Sequence, residues 1–205
     1  MSKIRFVVSF GVTAILTSVF FQNCADVLDL GSHGTATGNP SMHMSFAPYG
    51  SAAQMKASAL VADLDEVSVI FCFSHLRFKT DTGLDDNDPA NAGEIKNIVF
   101  GTREVSVSNI GTDLGFVDVP KGTYRQVDLH ANGNFCDSKK SIRLSNSHGE
   151  FSTEAPINLK FIGDKTVEGK QDELELIIQK YIEELATVTS DDEIKQKLEA
   201  ADGKF

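Results

Sequence analysis

From Pro40 onward, apolar and polar residues alternate in short runs broken by Gly, Pro, Asn and Asp, a pattern that predicts strands. Met42, Met44 and Phe46 alternate with Ser41, His43 and Ser45, which predicts a half-buried strand. The strongest segment is Glu66 to Lys79. Strict alternation there places Val67, Val69, Phe71 and Phe73 on one face and Ile70, Cys72, Leu76 and Phe78 on the other. A strand apolar on both faces sits centrally. Ile95 to Phe100, Arg103 to Ile110, Phe116 to Val119, Thr123 to His130, Ser141 to Ser145, Ile157 to Ile162 and Glu173 to Gln179 follow as further short strands. Pro120-Lys121-Gly122 and Asn132-Gly133-Asn134 read as turns, because proline pre-sets φ and glycine and asparagine tolerate turn conformations. Gly163 to Gly169 reads as another, and Gly50 to Asp63 as a loop or short helix.

The period then changes. Tyr181, Ile182, Leu185 and Val188 recur at helical spacing. Ser190-Asp191-Asp192-Glu193 has the form of a capping box, and Ile194 and Leu198 give the next helix an apolar face. The whole predicts one mainly β domain over residues 40–180, an antiparallel β-sandwich of eight or nine strands, with a short helical tail over 181–205.

The N-terminus is of another kind. Lys3 and Arg5 precede an uncharged, mostly apolar run from Phe6 to Phe21, which closes at Gln22-Asn23-Cys24. The run is short for a membrane-spanning helix, and a basic start with a short apolar core is the secretory-signal pattern. Residues 1–23 thus read as a signal peptide, and the segment resembles a bacterial lipoprotein signal with Cys24 as the lipid-attachment residue. Phe21 and Asn23 stand where that motif usually has leucine and a small residue. The alternatives are ordinary secretion or an uncleaved anchor. Ala25, not aspartate, follows the cysteine, which by the same resemblance permits delivery to the outer membrane, facing the periplasm or the cell surface. Residues 24–39 hold Gly31, Ser32, Gly34, Thr35, Thr37 and Gly38 and read as a flexible tether.

The net charge of the 205-residue chain is −10, and loss of Lys3 and Arg5 with the signal leaves −12. Such a surface repels phosphate backbones, so nucleic acid is not an expected partner. Cys72 and Cys136 remain once Cys24 is assigned to lipid. An even pair in an oxidising compartment suggests a disulfide, the alternative being a buried free Cys72 and an exposed Cys136.

Asp81, Asp85, Asp86, Asn87, Asp88, Asn91 and Glu94 crowd one loop. Ca²⁺ takes six to eight oxygen ligands from such groups, so Asp81, Asp85, Asp86, Asp88 and Glu94 are a candidate weak calcium site. Ala90 falls where an oxygen ligand is needed for EF-hand spacing, and a solvated acidic loop is the plainer reading. His43 alternates with Met42 and Met44, so these three do not converge on a soft metal. His33, His75, His130 and His148 show no ligand spacing among themselves. The nucleophile-elbow, zincin and P-loop motifs are absent. Ser74-His75 and Ser147-His148 are chain neighbours, which an ideal strand directs to opposite faces.

Val119-Pro120-Lys121-Gly122-Thr123-Tyr124-Arg125-Gln126-Val127-Asp128-Leu129, with the signal, the tether and Asp65-Glu66-Val67-Ser68-Val69 ahead of it, resembles a family. That family is the bacterial cell-envelope lipoproteins with a prealbumin-like, Greek-key β-sandwich domain of unknown function. The resemblance covers roughly residues 40–180. It implies a fold and a location, and no catalytic residue. The expectation is therefore a non-enzymatic, lipid-anchored envelope protein, held to the membrane by its N-terminal lipid. It would act as a binding, adhesion or structural module for an envelope protein or glycan and need no cofactor. The alternatives are a calcium-binding carrier or sensor and, further off, an envelope hydrolase.

Overall fold

A computed structural model describes residues 38–50 and 64–205. Cys24, the signal, nearly all of the tether and residues 51–63 lie outside the described residues. Eleven strands and two α-helices are found among the described residues: β1 Ser41–Phe46, β2 Ser68–Lys79, β3 Ile95–Ile98, β4 Arg103–Val107, β5 Thr112–Asp118, β6 Gly122–Ala131, β7 Ile142–Asn146, β8 Gly149–Thr153, β9 Ile157–Val167, β10 Gln171–Leu176, α1 Gln179–Ala186, α2 Asp191–Ala200 and β11 Asp202–Lys204.

The strands form a two-sheet β-sandwich, as the alternation predicts. The small sheet has the order β10-β1-β5, and the large one runs β11-β9-β6-β2-β7-β8, with β3 and β4 also paired to β2. Most pairs are antiparallel, but β1 with β10 and β9 with β11 are parallel. Strand β2 is the spine: its first half pairs with β4 and β7, its second half with β3 and β6. Phe46 of the small sheet meets Phe73 and Phe161 of the large one, with ring centroids 6.0 and 6.1 Å apart. Aromatic pairs at this spacing add stability beyond their buried area.

Strand β2 departs from strict alternation. Phe73 faces Ala131 of β6, but His75 faces His130, so one extra residue, Ser74, is inserted. This β-bulge shifts the phase by one. Leu76 and Phe78 therefore join Val69, Phe71 and Phe73 in the core, rather than lying with Ile70 and Cys72. A matching shift between Tyr124 and Gln126 on β6 puts Tyr124, Val127, Leu129 and Ala131 inward together. The sandwich needs one apolar face on each strand, and the bulges let two irregular sequences supply it.

Several boundaries differ from the sequence expectation. Gly163 to Gly169 is not a turn: β9 continues to Val167, where it pairs with Gly122. Strand β8 forms with β7 as a hairpin in a polar segment that carries only Phe151 as a strong signal. The tail is not purely helical, because Asp202–Lys204 returns as β11 beside β9. Helix α1 starts at Gln179, and its Tyr181, Ile182 and Leu185 lie in the same core as Ile194 and Leu198 of α2. Of the expected capping box, the Ser190 side chain makes no cap bond, and Glu193 reaches one residue past the cap to accept from the Thr189 backbone N–H and hydroxyl. No helix among the described residues is long and apolar enough to cross a membrane.

The Pro120–Tyr124 motif has a plain physical role. Tyr124 is buried, and its hydroxyl donates to the Pro120 carbonyl at 2.7 Å, pinning the turn that starts β6. Gly122 has a φ of +157°, a backbone conformation that glycine adopts more readily than residues with a side chain. The Cys72 and Cys136 sulfurs are 2.01 Å apart, which is disulfide distance, and they tie the middle of β2 to the turn after β6.

Candidate functional site

The two bulges leave a polar stripe on the side of the large sheet away from the core. Cross-strand pairs there are His75 with His130, Arg77 with Asp128 and Lys79 with Gln126. Across β9, Asn158 lies opposite His130 and Lys160 opposite Asp128. The segment between β2 and β3 folds over this stripe. Its own turns are local: Asp85 accepts from the Asn87 N–H, and Asp88 accepts from the Ala90 N–H to start the turn Pro89–Asn91.

Under this cover the middle of the stripe is buried, and His75, Arg77 and His130 are half-buried. Asp128 is 0% exposed, Lys79 and Gln126 are each 3% exposed. Lys79 Nζ lies 2.7 Å from Asp86 Oδ1 and 2.8 Å from Asp128 Oδ2, and donates to the Leu84 carbonyl. Arg77 pairs with the other oxygen of Asp86. Gln126 donates to Asp128 Oδ1 at 2.7 Å and accepts from the Gly83 N–H. Two carboxylates and two cations thus neutralise each other, with Lys79 and Asp128 shut off from water and Arg77 and Asp86 at the partly exposed edge. Burial disfavours the charged form of Lys79, but Asp128 and Asp86 override it and raise its pKa. Burial likewise opposes ionisation of Asp86, and Lys79 and Arg77 overcome it to lower its pKa.

At one end of the stripe the His75 and His130 rings stack, with centroids 4.1 Å apart and planes 12° apart. Sequence spacing showed no relation between them, and the β2–β6 register brings them together. His130 titrates at about 4, because burial, then His75 and Arg77, disfavour its cation. His75 is lowered by burial and by Arg77. The bulge also overturns the expectation for Ser74 and His75: Ser74 Oγ stands 3.0 Å from His75 Nδ1. Ser74 Oγ also lies 3.2 Å from the His130 carbonyl, so the hydroxyl sits between the imidazole and the β6 backbone. The hydroxyl thus braces the bulge, with one partner on β2 and one on β6.

The five loop acids proposed for calcium are dispersed. Asp86 faces Lys79 and Arg77, Asp85 and Asp88 serve turns, Asp81 accepts from the Thr82 N–H and lies 3.9 Å from Arg125, and Glu94 accepts from the Thr80 hydroxyl. Asp86 instead joins Asp128 and His130, one donor atom of each lying within 4.8 Å of the others. Met42 and Met44 are buried, while His43 faces out, 2.9 Å from Asp113 and stacked on Phe116. Elsewhere a groove of about 470 Å³ is lined by Ile70, Arg143, Lys140 and Phe151, its two cations held by Glu104 and Glu154.

Sequence reasoning missed His75, Lys79, Gln126, Asp128 and His130. The readable signal was Gln126, Asp128 and His130 at alternate positions of a strand, three polar side chains on one face. No family model, curated protein or solved structure matches the chain.

Proposed function

We propose that this protein is a non-enzymatic module of a bacterial cell envelope, anchored by lipid at Cys24 and carried on the tether of residues 24–39. In this reading the sandwich presents its end loops to an envelope protein or glycan, on the outer membrane facing the periplasm or the surface. The observation that carries the reading is the cysteine usage. Cys72 and Cys136 lie at disulfide distance inside the sandwich, which fits an oxidising compartment, and Cys24 alone is left beside the signal. The Tyr124–Pro120 corner supports the prealbumin-like resemblance, because it gives that motif a structural purpose. The buried stripe supports a non-enzymatic role, since its carboxylates are each held by a cation and its serine is spent on the bulge.

The test is membrane fractionation of cells fed a labelled fatty acid, comparing wild type with Cys24→Ala. The label follows the wild-type protein into the membrane fraction, and the variant is unlabelled and leaves that fraction. Equal membrane retention of an unlabelled wild type overturns the anchor.

A further inference from the structure

The Asp86–Asp128–His130 cluster has the composition of a transition-metal site. Asp128 and His130 are two residues apart on β6 and share its outward face, and Asp86 descends from the covering loop. Donor atoms of the three lie within 4.8 Å of one another. Two further atoms point to a missing electron-pair acceptor. His130 Nε2 and, across β9, Asn158 Oδ1 are both buried with no hydrogen-bond partner. Buried polar atoms are rarely left so, because each costs about 1–3 kcal/mol unpaired. The one positive charge that bridges both carboxylates is the Lys79 ammonium, which cannot satisfy a second set of lone pairs on the histidine side.

We propose that this cluster binds a divalent transition metal, Zn²⁺ above all, in the place that Lys79 Nζ fills in the metal-free protein. One imidazole and two carboxylates suit zinc, and imidazole is not a calcium ligand, so the site is distinct from a calcium loop. Two ligands stand on a rigid strand and the third on the loop, so the metal would clamp the loop to the sheet. Lys79 is the competitor: it sits at the end of β2, next to the loop, on a long stem that can swing the ammonium out as the ion enters.

Calorimetric titration of the purified, chelator-stripped, disulfide-intact protein with Zn²⁺ tests this. The expected result is one saturable site per chain, with an absorption-edge spectrum showing one imidazole among oxygen donors. His130→Gln weakens that site by about 100-fold or more, and Lys79→Met strengthens it by about tenfold. His43→Gln leaves it unchanged, since the His43–Asp113 pair is on the other sheet. Three results overturn the proposal: no saturable binding up to about 1 mM, binding indifferent to His130→Gln, or binding weakened by Lys79→Met in a folded variant.

Discussion

Removing one member of the Lys79–Asp128 pair is expected to cost far more than removing both. Asp128 is 0% exposed and Lys79 3%, so each charge has left water almost entirely. A lone buried partner pays several kcal/mol, and breaking such a pair from one side typically costs about 3–5 kcal/mol. Asp128→Leu leaves the ammonium with Asp86, which stands 2.7 Å away, so its cost is placed at the lower end, about 3 kcal/mol. Lys79→Met leaves Asp128 with Gln126 alone, so about 4 kcal/mol is expected. The double variant fills the same volume with apolar atoms, and should lie within about 1 kcal/mol of wild type. The coupling between the two sites is then about 6–8 kcal/mol, well outside the error of additivity for independent sites. Urea unfolding followed by far-ultraviolet circular dichroism measures it, since the chain has no tryptophan to report by fluorescence. Chelator must be present throughout. If the two single costs add to the double within about 0.5 kcal/mol, the pair is not energetically coupled and the reading of a closed, self-neutralised stripe fails.

Other outcomes follow from the same geometry. Reducing or deleting the Cys72–Cys136 link, which closes a separation of 64 residues, should cost on the order of 4 kcal/mol in the chain-entropy model, measured by denaturation with and without reductant. Tyr124→Phe removes the bond to the Pro120 carbonyl and should cost about 1–2 kcal/mol in the same assay, with no change in sheet content. Gly203→Ala would place a Cβ 2.4 Å from Phe161, so strand β11 must shift, and a loss of about 1–3 kcal/mol is expected in thermal unfolding. His130 has a folded pKa of about 4 against 6.5 when free, so the unfolded chain takes up its proton first. The stability it contributes is complete above pH 6.5 and is lost as pH falls toward 4, by at most about 3 kcal/mol, in metal-free protein. His130→Gln should flatten that slope, and an unchanged slope assigns it elsewhere.

The chain's local patterns and its long-range pairings carry different kinds of information here. Alternation in Met42, Met44 and Phe46, the helical recurrence of Tyr181, Ile182 and Leu185, the Pro120–Tyr124 turn and the pairing of Cys72 with Cys136 depend on neighbouring residues or on a count, and all were legible. So were the class of fold and the acidic charge. The polar stripe was not, for a specific reason: a period of two has only two phases, and one inserted residue exchanges them. Nothing around Ser74 marks it as the insertion. The bulge is favoured because it returns Leu76 and Phe78 to the core against β3 and β6, far away in sequence. The same shift turns His75, Arg77 and Lys79 outward together, where β6 supplies their partners and the loop covers them. Strand β11 is decided in the same way, since Asp202–Lys204 has no strand pattern of its own and pairs because β9 offers an open edge beside Tyr181. The sequence by itself therefore determined the sandwich and its cross-link. The tertiary structure alone decided which side chains meet at the buried site, because that depends on register, and register is set by what distant strands bury together.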